Sequence, residues 1–235
     1  MSIQMKSNSG RVANSASTTV SVIAGAAMVV GGWIACLPSA QAADSLARML
    51  KGVEERYNHT NTLQVAFAET YTMKGRKRTE KGELYLRKPG RMRWEYSSPA
   101  GKLFGSDGKF AYAYFPDEKR FEKSSLKGTE DMKAPLAFLL GKLQFDKEFR
   151  DFRSEPDGPS TFITAIPKSD KLPYTEVTFL IDPNFTIRWM NVKGADGSQL
   201  DFAFSAEKRN TPIAESMFKF TPPLGVIYSD VSQNP

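Results

Sequence analysis

The stretch Gly82–Tyr96 constrains the fold most, because its side chains alternate in polarity on both sides of a turn. It reads GELYLRKPGRMRWEY, and its central Pro89-Gly90 is typical of a turn between two strands. Successive side chains of a strand point to opposite faces, so one face of each strand is apolar. The first strand places Leu84, Leu86 and Lys88 on one face, and the second places Met92, Trp94 and Tyr96 on one face.

Lys88 is a cation at the end of an otherwise apolar row. A buried ammonium group is costly unless it finds hydrogen-bond acceptors. Two interpretations follow from the pattern. Either the side chain extends to the rim and stays solvated, or it contacts an element that closes over the apolar face.

The rest of the chain predicts one N-terminal helix followed by many strands. Asp44–Tyr57 has apolar residues at helical spacing, with Asp44 as the cap. Hairpin-linked strands with strict alternation predict an antiparallel sheet curled round a core, in one domain. The further strand patterns cover residues 63–73, 102–106, 110–114, 120–123, 149–154, 160–166, 174–181, 185–192 and 199–208.

An apolar helical insertion interrupts the strand pattern at Ser124–Lys142. Pro135 suits the first turn of a short helix and Gly141 suits its end. Such a helix could cover the sheet as a lid, which would be formed by Pro135, Leu136, Phe138, Leu139 and Leu140. The predicted cavity beneath it is lined by Leu84, Leu86, Met92, Trp94, Phe202 and Phe204. The alternative is a barrel or sandwich filled by its own side chains.

The first 42 residues read as a signal peptide, which leaves residues 43–235 as the folded domain. An apolar run ends at Ala40-Gln41-Ala42, which fits cleavage before Ala43. One alternative is an uncleaved membrane anchor, and another is lipid attachment at Cys36, the only cysteine. Cleavage would leave a mature chain with no cysteine and therefore no disulfide.

Catalytic and nucleic-acid-binding patterns are missing from the sequence. The formal net charge is +6, but the basic residues are scattered among apolar strands, which argues against nucleic acid as a partner. The cluster Lys74–Arg78 fits a solvated hairpin tip, or a docking surface for an acidic or membrane-proximal partner. The single histidine, His59, is expected on the surface at a helix end. The sequence has no nucleophile elbow, phosphate-binding loop or metal-ligand cluster, so we expect no cofactor or metal, and a hydrolase based on carboxylates alone is the enzymatic alternative left open.

The chain resembles the LolA family of periplasmic carriers of outer-membrane lipoproteins. The resemblance covers nearly all of the expected mature chain and rests on the order and spacing of several motifs. These are Gly82-Glu83-Leu84-Tyr85 with Lys88-Pro89, Arg93-Trp94-Glu95-Tyr96 with Pro99, Ser106-Asp107-Gly108-Lys109, Pro135–Leu140, and Phe218–Val226.

The resemblance implies an incomplete antiparallel β-barrel covered by helices, with an apolar cavity for acyl chains and no enzymatic activity. It also implies a monomer that moves lipoproteins from an inner-membrane ABC-type release complex to an outer-membrane receptor, LolB. Many family members have arginine where this chain has Lys88, and that cation holds the lid closed. Lysine keeps the charge but lacks the planar five-donor group. Other readings are a membrane-anchored receptor like LolB, a lipoprotein-sensing domain like RseB, and a lipid-directed enzyme.

Overall fold

A long N-terminal helix precedes the sheet. The computed structural model describes residues 39–126 and 142–232, with side chains from residue 43 onward. Helix α1 spans Ser39–Asn58, so the prediction that Asp44 caps it is wrong, because the helix begins five residues earlier. Val53 and Tyr57 are buried against the sheet, as their helical spacing predicted. The helix ends at Asn58, and two residues later the Thr60 hydroxyl donates to the carbonyl oxygen of Arg56 at 2.8 Å, which satisfies a terminal acceptor.

Twelve strands of the described residues form one open sheet. Their order across the sheet is β12-β6-β5-β4-β3-β2-β1-β11-β10-β9-β8-β7, and every pair is antiparallel except β12 with β6. The predicted mainly β fold is therefore confirmed. The strands are β1 Thr62–Met73, β2 Arg76–Arg87, β3 Arg91–Ser98, β4 Ala100–Asp107, β5 Phe110–Phe115, β6 Arg120–Ser125, β7 Phe149–Asp157, β8 Ser160–Pro167, β9 Tyr174–Ile181, β10 Ile187–Gly194, β11 Gln199–Arg209 and β12 Ile227–Asp230.

The start of one strand and the presence of another differ from the sequence prediction for local reasons. Strand β10 begins at Ile187, not at Phe185, because Phe185 has a φ of 60° and belongs to the preceding turn. The Asp182 carboxylate holds that turn by accepting hydrogen bonds from the backbone of Asn184 and Thr186, both at 2.9 Å. The short strand β12 was not predicted from the sequence, because four residues after a Pro-Pro pair give no clear alternation.

The inner face of the sheet carries the apolar core. Trp94 lies at its centre, with ring centroids 4.8 Å from Phe67 and 5.6 Å from Phe202. A second aromatic group joins the short helix α2 (Phe145–Glu148) to the other end of the sheet, where the Phe145 and Phe179 rings are 5.6 Å apart. Edge-to-face rings at these distances stabilise a core beyond the area that they bury.

The C-terminal segment Glu215–Gly225 crosses the outer face of β3–β6. Phe220 stacks on Tyr112 with ring centroids 4.7 Å apart and lies directly over Gly105. The chain then adds β12 to the edge of β6. The outer face of this part of the sheet is therefore covered, which explains why Phe121, whose ring lies against Tyr112 and Tyr228, is almost fully buried.

Candidate functional site

The predicted apolar row forms a continuous surface on the inner face. Leu84 lies opposite Trp94, and Leu86 lies opposite Met92, in the register of β2 with β3. The backbone thus brings the predicted set together, as the alternation required. Leu84 and Phe202 have no exposed surface and Trp94 is 1% exposed, so an acyl chain could reach them only after covering elements move.

Phe204 is the most accessible member of the predicted set. It stacks on Phe202 with ring centroids 5.9 Å apart and planes 5° from parallel, but it is only partly buried. Leu46 and Leu50 of α1 also pack against the core while partly exposed. Phe204 therefore lies where the apolar surface approaches solvent. That the predicted set lines a cavity stays a prediction.

Lys88 contacts helix α1. Its Nζ donates a hydrogen bond to the carbonyl oxygen of Tyr57 at 2.7 Å, in the last turn of that helix. Burial lowers the pKa of the Lys88 ammonium group, since desolvation disfavours the charged form. The predicted lid residues Pro135–Leu140 lie outside the described residues, so a contact between Lys88 and that segment stays a prediction.

A polar network on the other side of β1 was missed by the sequence analysis. The Tyr57 hydroxyl donates to Glu207 Oε2 at 2.8 Å, and Arg56 Nη2 pairs with Glu207 Oε1 at 2.5 Å. Alternation from Phe202 and Phe204 places Glu207 on the outer face. An extra residue in β11 reverses that parity, with Ala206 at a φ of 53° and a register shift against β1. No local sequence pattern predicts this bulge.

Buried charged groups also lie on the inner face, towards the other end of β1 and β2. Glu69 and Glu80 lie directly opposite each other and are 7% and 3% exposed. Lys102 forms an ion pair with Glu80, and the Tyr96 hydroxyl donates to Glu69 at 3.3 Å. Burial and these two carboxylates raise the pKa of Tyr96, so its hydroxyl stays protonated. Across the described ranges, no three His, Cys, Asp or Glu side chains are grouped to hold a metal ion.

The outer face offers a groove with a different character. It has a volume of about 600 Å³ and crosses β11, β1, β2 and β3. Ala66, Ala68 and Ala203 lie along it, and the facing carboxylates Glu83 and Glu95 border it. Phe67, Tyr96 and Phe204, which the strand alternation places on the inner face, also line this groove.

Two sequence features are on the surface, as expected. Lys74 and Gly75 form the turn between β1 and β2, and Arg76–Arg78 are exposed, so the basic cluster is a hairpin tip. His59 is exposed and its Nδ1 hydrogen-bonds the carbonyl oxygen of Glu55 at 2.8 Å. The helices of the described part of the chain include none with the length and hydropathy needed to span a bilayer.

An open sheet with a large apolar face, and a helix held over that face by polar contacts, define a class of proteins that enclose apolar surface. Residues 58–221 match the family model described as outer membrane lipoprotein carrier protein LolA, and the chain belongs to this family. The resemblance noted from the sequence is thus confirmed. The family is one of lipoprotein carriers and is not a known enzyme family.

Relatives named outer-membrane lipoprotein carrier protein are similar over most of this chain. The one from Chromobacterium violaceum is 24% identical over 192 residues, which cover 82% of this chain and 92% of the relative. The one from Xanthomonas axonopodis pv. citri is 29% identical over 189 residues, covering 79% and 85%. Among solved structures, a LolA superfamily protein from Nitrosomonas europaea matches with a TM-score of 0.43 and 10% identity, covering 74% of this chain and 97% of that one.

Proposed function

We propose that this protein binds the acyl chains of lipoproteins on the inner face of its sheet and carries them across the periplasm, from the inner to the outer membrane. The observation that carries the proposal is the continuous apolar surface of β1–β3 and β11, covered by a helix that polar contacts hold in place. Family membership supports the same function.

The energetics of burial fit a carrier that opens and closes. Each methylene moved from water to an apolar surface is worth about 0.8 kcal/mol. Opening the protein exposes its own buried side chains, and this cost offsets much of the gain. Such an offset keeps the affinity for acyl chains low enough for release, because a ligand shifts a conformational equilibrium only by its differential affinity for the two states.

Loading and release then require partners. The sequence has no nucleotide-binding loop, so an inner-membrane ABC-type release complex would supply the free energy for loading. Release would be downhill to an outer-membrane receptor such as LolB. In this proposal residues 1–42 are removed as a signal peptide, the mature chain is a periplasmic monomer, and Pro135–Leu140 belongs to the lid that Lys88 helps to close.

The direct test is native mass spectrometry of the protein purified from periplasm. Co-purified lipoprotein, or masses of acylated peptide after proteolysis, would support the proposal. N-terminal sequencing of the same sample should find Ala43 first. A protein that carries no acylated molecule from cells rich in lipoproteins would contradict the carrier function, and an acylated Cys36 would favour a membrane-anchored receptor instead.

A further inference from the structure

We infer that Glu207 is a positioning residue that holds the C-terminal end of helix α1 closed over the apolar face, independently of Lys88. The inference rests on the proposed acyl-binding function. The end of the helix would then be attached at two places, by Lys88 on one side of β1 and by Glu207 on the other. Both attachments must break before the end of the helix can leave the sheet, as must the hydrogen bonds of Asn58 with Leu143 and of Glu54 with Phe145.

Tyr57 is the residue at which the two attachments meet. Its carbonyl oxygen accepts a hydrogen bond from Lys88 Nζ at 2.7 Å, next to the end of β2. Its hydroxyl donates to Glu207 Oε2 at 2.8 Å and accepts from the backbone N–H of Ile187 at 3.1 Å. Strands β2 and β11 are the two neighbours of β1, so Tyr57 is held from both sides of that strand.

Glu207 connects strand β11 to helix α1 through one carboxylate, and Arg56 extends that connection to a third segment. Its Oε1 pairs with Arg56 Nη2 at 2.5 Å and lies 3.5 Å from Arg209 Nε. Arg56 in turn donates from Nη1 to the carbonyl oxygen of Asn184 at 3.2 Å, in the turn before β10. The Glu207 side chain is only 8% exposed, so water screens these contacts far less than it screens a surface ion pair.

The electrostatics keep this network in its bonded form. Burial and the nearby Glu207 charge raise the pKa of Tyr57, so its hydroxyl remains a donor at every physiological pH. Burial alone would lower the pKa of Arg56, but the hydrogen bond and charge of Glu207 outweigh that effect and raise it. Arg56 Nε is buried with no hydrogen-bond partner in the described part of the chain, so the closed position also carries a cost. This cost offsets part of the stabilisation of the closed state, so the helix end can open without global unfolding.

The experiment compares the mature chain with Glu207→Gln and with Tyr57→Phe. The glutamine keeps the size of the side chain and an acceptor for Tyr57, but removes the charge that holds Arg56. The phenylalanine removes only the hydroxyl. A matched control is Glu176→Gln, because Glu176 is a carboxylate of strand β9 that pairs with Arg153 and Lys193 away from the helix.

Two readouts separate positioning from general stability. The first is hydrogen exchange of the amides of residues 54–60, compared with those of the β9–β10 pair. The second is the association rate of a fluorescent fatty-acyl probe. We expect Glu207→Gln and Tyr57→Phe each to speed exchange at the end of the helix about tenfold, leaving β9–β10 unchanged, and to raise the association rate. Combining Glu207→Gln with Lys88→Leu should speed exchange beyond either single change, because each substitution removes a different hydrogen bond of Tyr57.

Three results would overturn the inference. One is unchanged helix-end exchange in both single variants. Another is faster exchange across the whole sheet, which would make Glu207 a residue of general stability. The third is a double variant no faster than Lys88→Leu alone. If the wild-type protein binds no acyl probe, the proposed function fails, while the exchange measurements still decide the role of Glu207.

Discussion

Lys88 and Glu207 show how single side chains fix the position of a helix on this sheet. The hydrophobic pattern identified Lys88 as an unusual cation, because the other residues on its face of the strand are apolar. It could not identify Tyr57 as the partner, because the acceptor is a backbone carbonyl, and every residue has one. The sequence could not predict the face on which Glu207 lies, because the bulge at Ala206 reverses the faces of the residues after it.

The lowered pKa of Lys88 predicts a pH dependence of stability. The folded state binds this proton less tightly than the unfolded state, whose pKa is near 10.5. The resulting destabilisation is complete below the folded-state pKa and disappears as the pH rises through 10.5. The wild-type protein should therefore gain stability relative to Lys88→Met over this alkaline interval.

The measurement is denaturant unfolding of both proteins from pH 7 to 10.5. Lys81→Met is the matched control, because Lys81 is an exposed lysine of β2. A difference between wild type and Lys88→Met that stays constant with pH would contradict the prediction.

Phe204 offers a cleaner test of acyl binding than the central tryptophan. Trp94 is so deeply buried that Trp94→Glu would place a carboxylate in the core and disrupt the fold itself. Phe204 is only partly buried, so Phe204→Ser should leave the protein folded. Losing one ring from the apolar surface should weaken binding of a fluorescent acyl probe about tenfold, which corresponds to about 1.4 kcal/mol.

The control for this prediction is Phe162→Ser. Phe162 is also a partly buried phenylalanine, but it packs edge-on against Trp189 on the other face of the sheet, with ring centroids 5.9 Å apart. Equal affinity of the probe for both variants would show that the apolar face of β11 does not bind acyl chains.

Among the elements, the C-terminal segment Glu215–Gly225 places the Phe220 ring directly against strand β4 on the outer face. Gly105 of β4 leaves room for that ring, because a Cβ at this position would lie 2.3 Å from Phe220 and 2.8 Å from the carbonyl oxygen of Met92. Arg93 lies 5.8 Å from the same ring and donates to the carbonyl oxygen of Met217. The packing of this segment therefore depends on a residue with no side chain.

We predict that Gly105→Ala lowers the free energy of unfolding by about 1–3 kcal/mol, because the added methyl group overpacks a tight contact. Part of that loss should vanish when Phe220 is already alanine. A double-mutant cycle of Gly105→Ala with Phe220→Ala, measured by denaturant unfolding, should give a coupling energy of about 1 kcal/mol or more. Additive losses would mean that the segment does not rest on β4 as described.

At the scale of the whole molecule, local pattern predicted most strands and the shared inner face, but not how the sheet ends. Strands β1–β6 follow one another as hairpins, so alternation and turn residues were enough to order them. The pairing of β1 with β11 joins residues far apart in the sequence, and no local signal encodes it. The same holds for β12, whose parallel pairing with β6 depends on the path of the preceding segment over the outer face.

The parallel pairing of β12 with β6 has a consequence for self-association. An unpaired strand edge is a template for another chain, and proteins protect such edges with short or covered strands. Here four residues shield the longer edge of β6, and Tyr228 covers Phe121 with ring centroids 6.1 Å apart.

A chain truncated before Ile227 should therefore form aggregates whose growth depends on protein concentration, seen as rising light scattering at 37 °C. The full-length variant Ile227→Ser, which retains the shielding strand but removes an exposed apolar side chain, should scatter no more than wild type. Equal scattering by the truncated chain and the wild type would show that this last strand is dispensable for solubility.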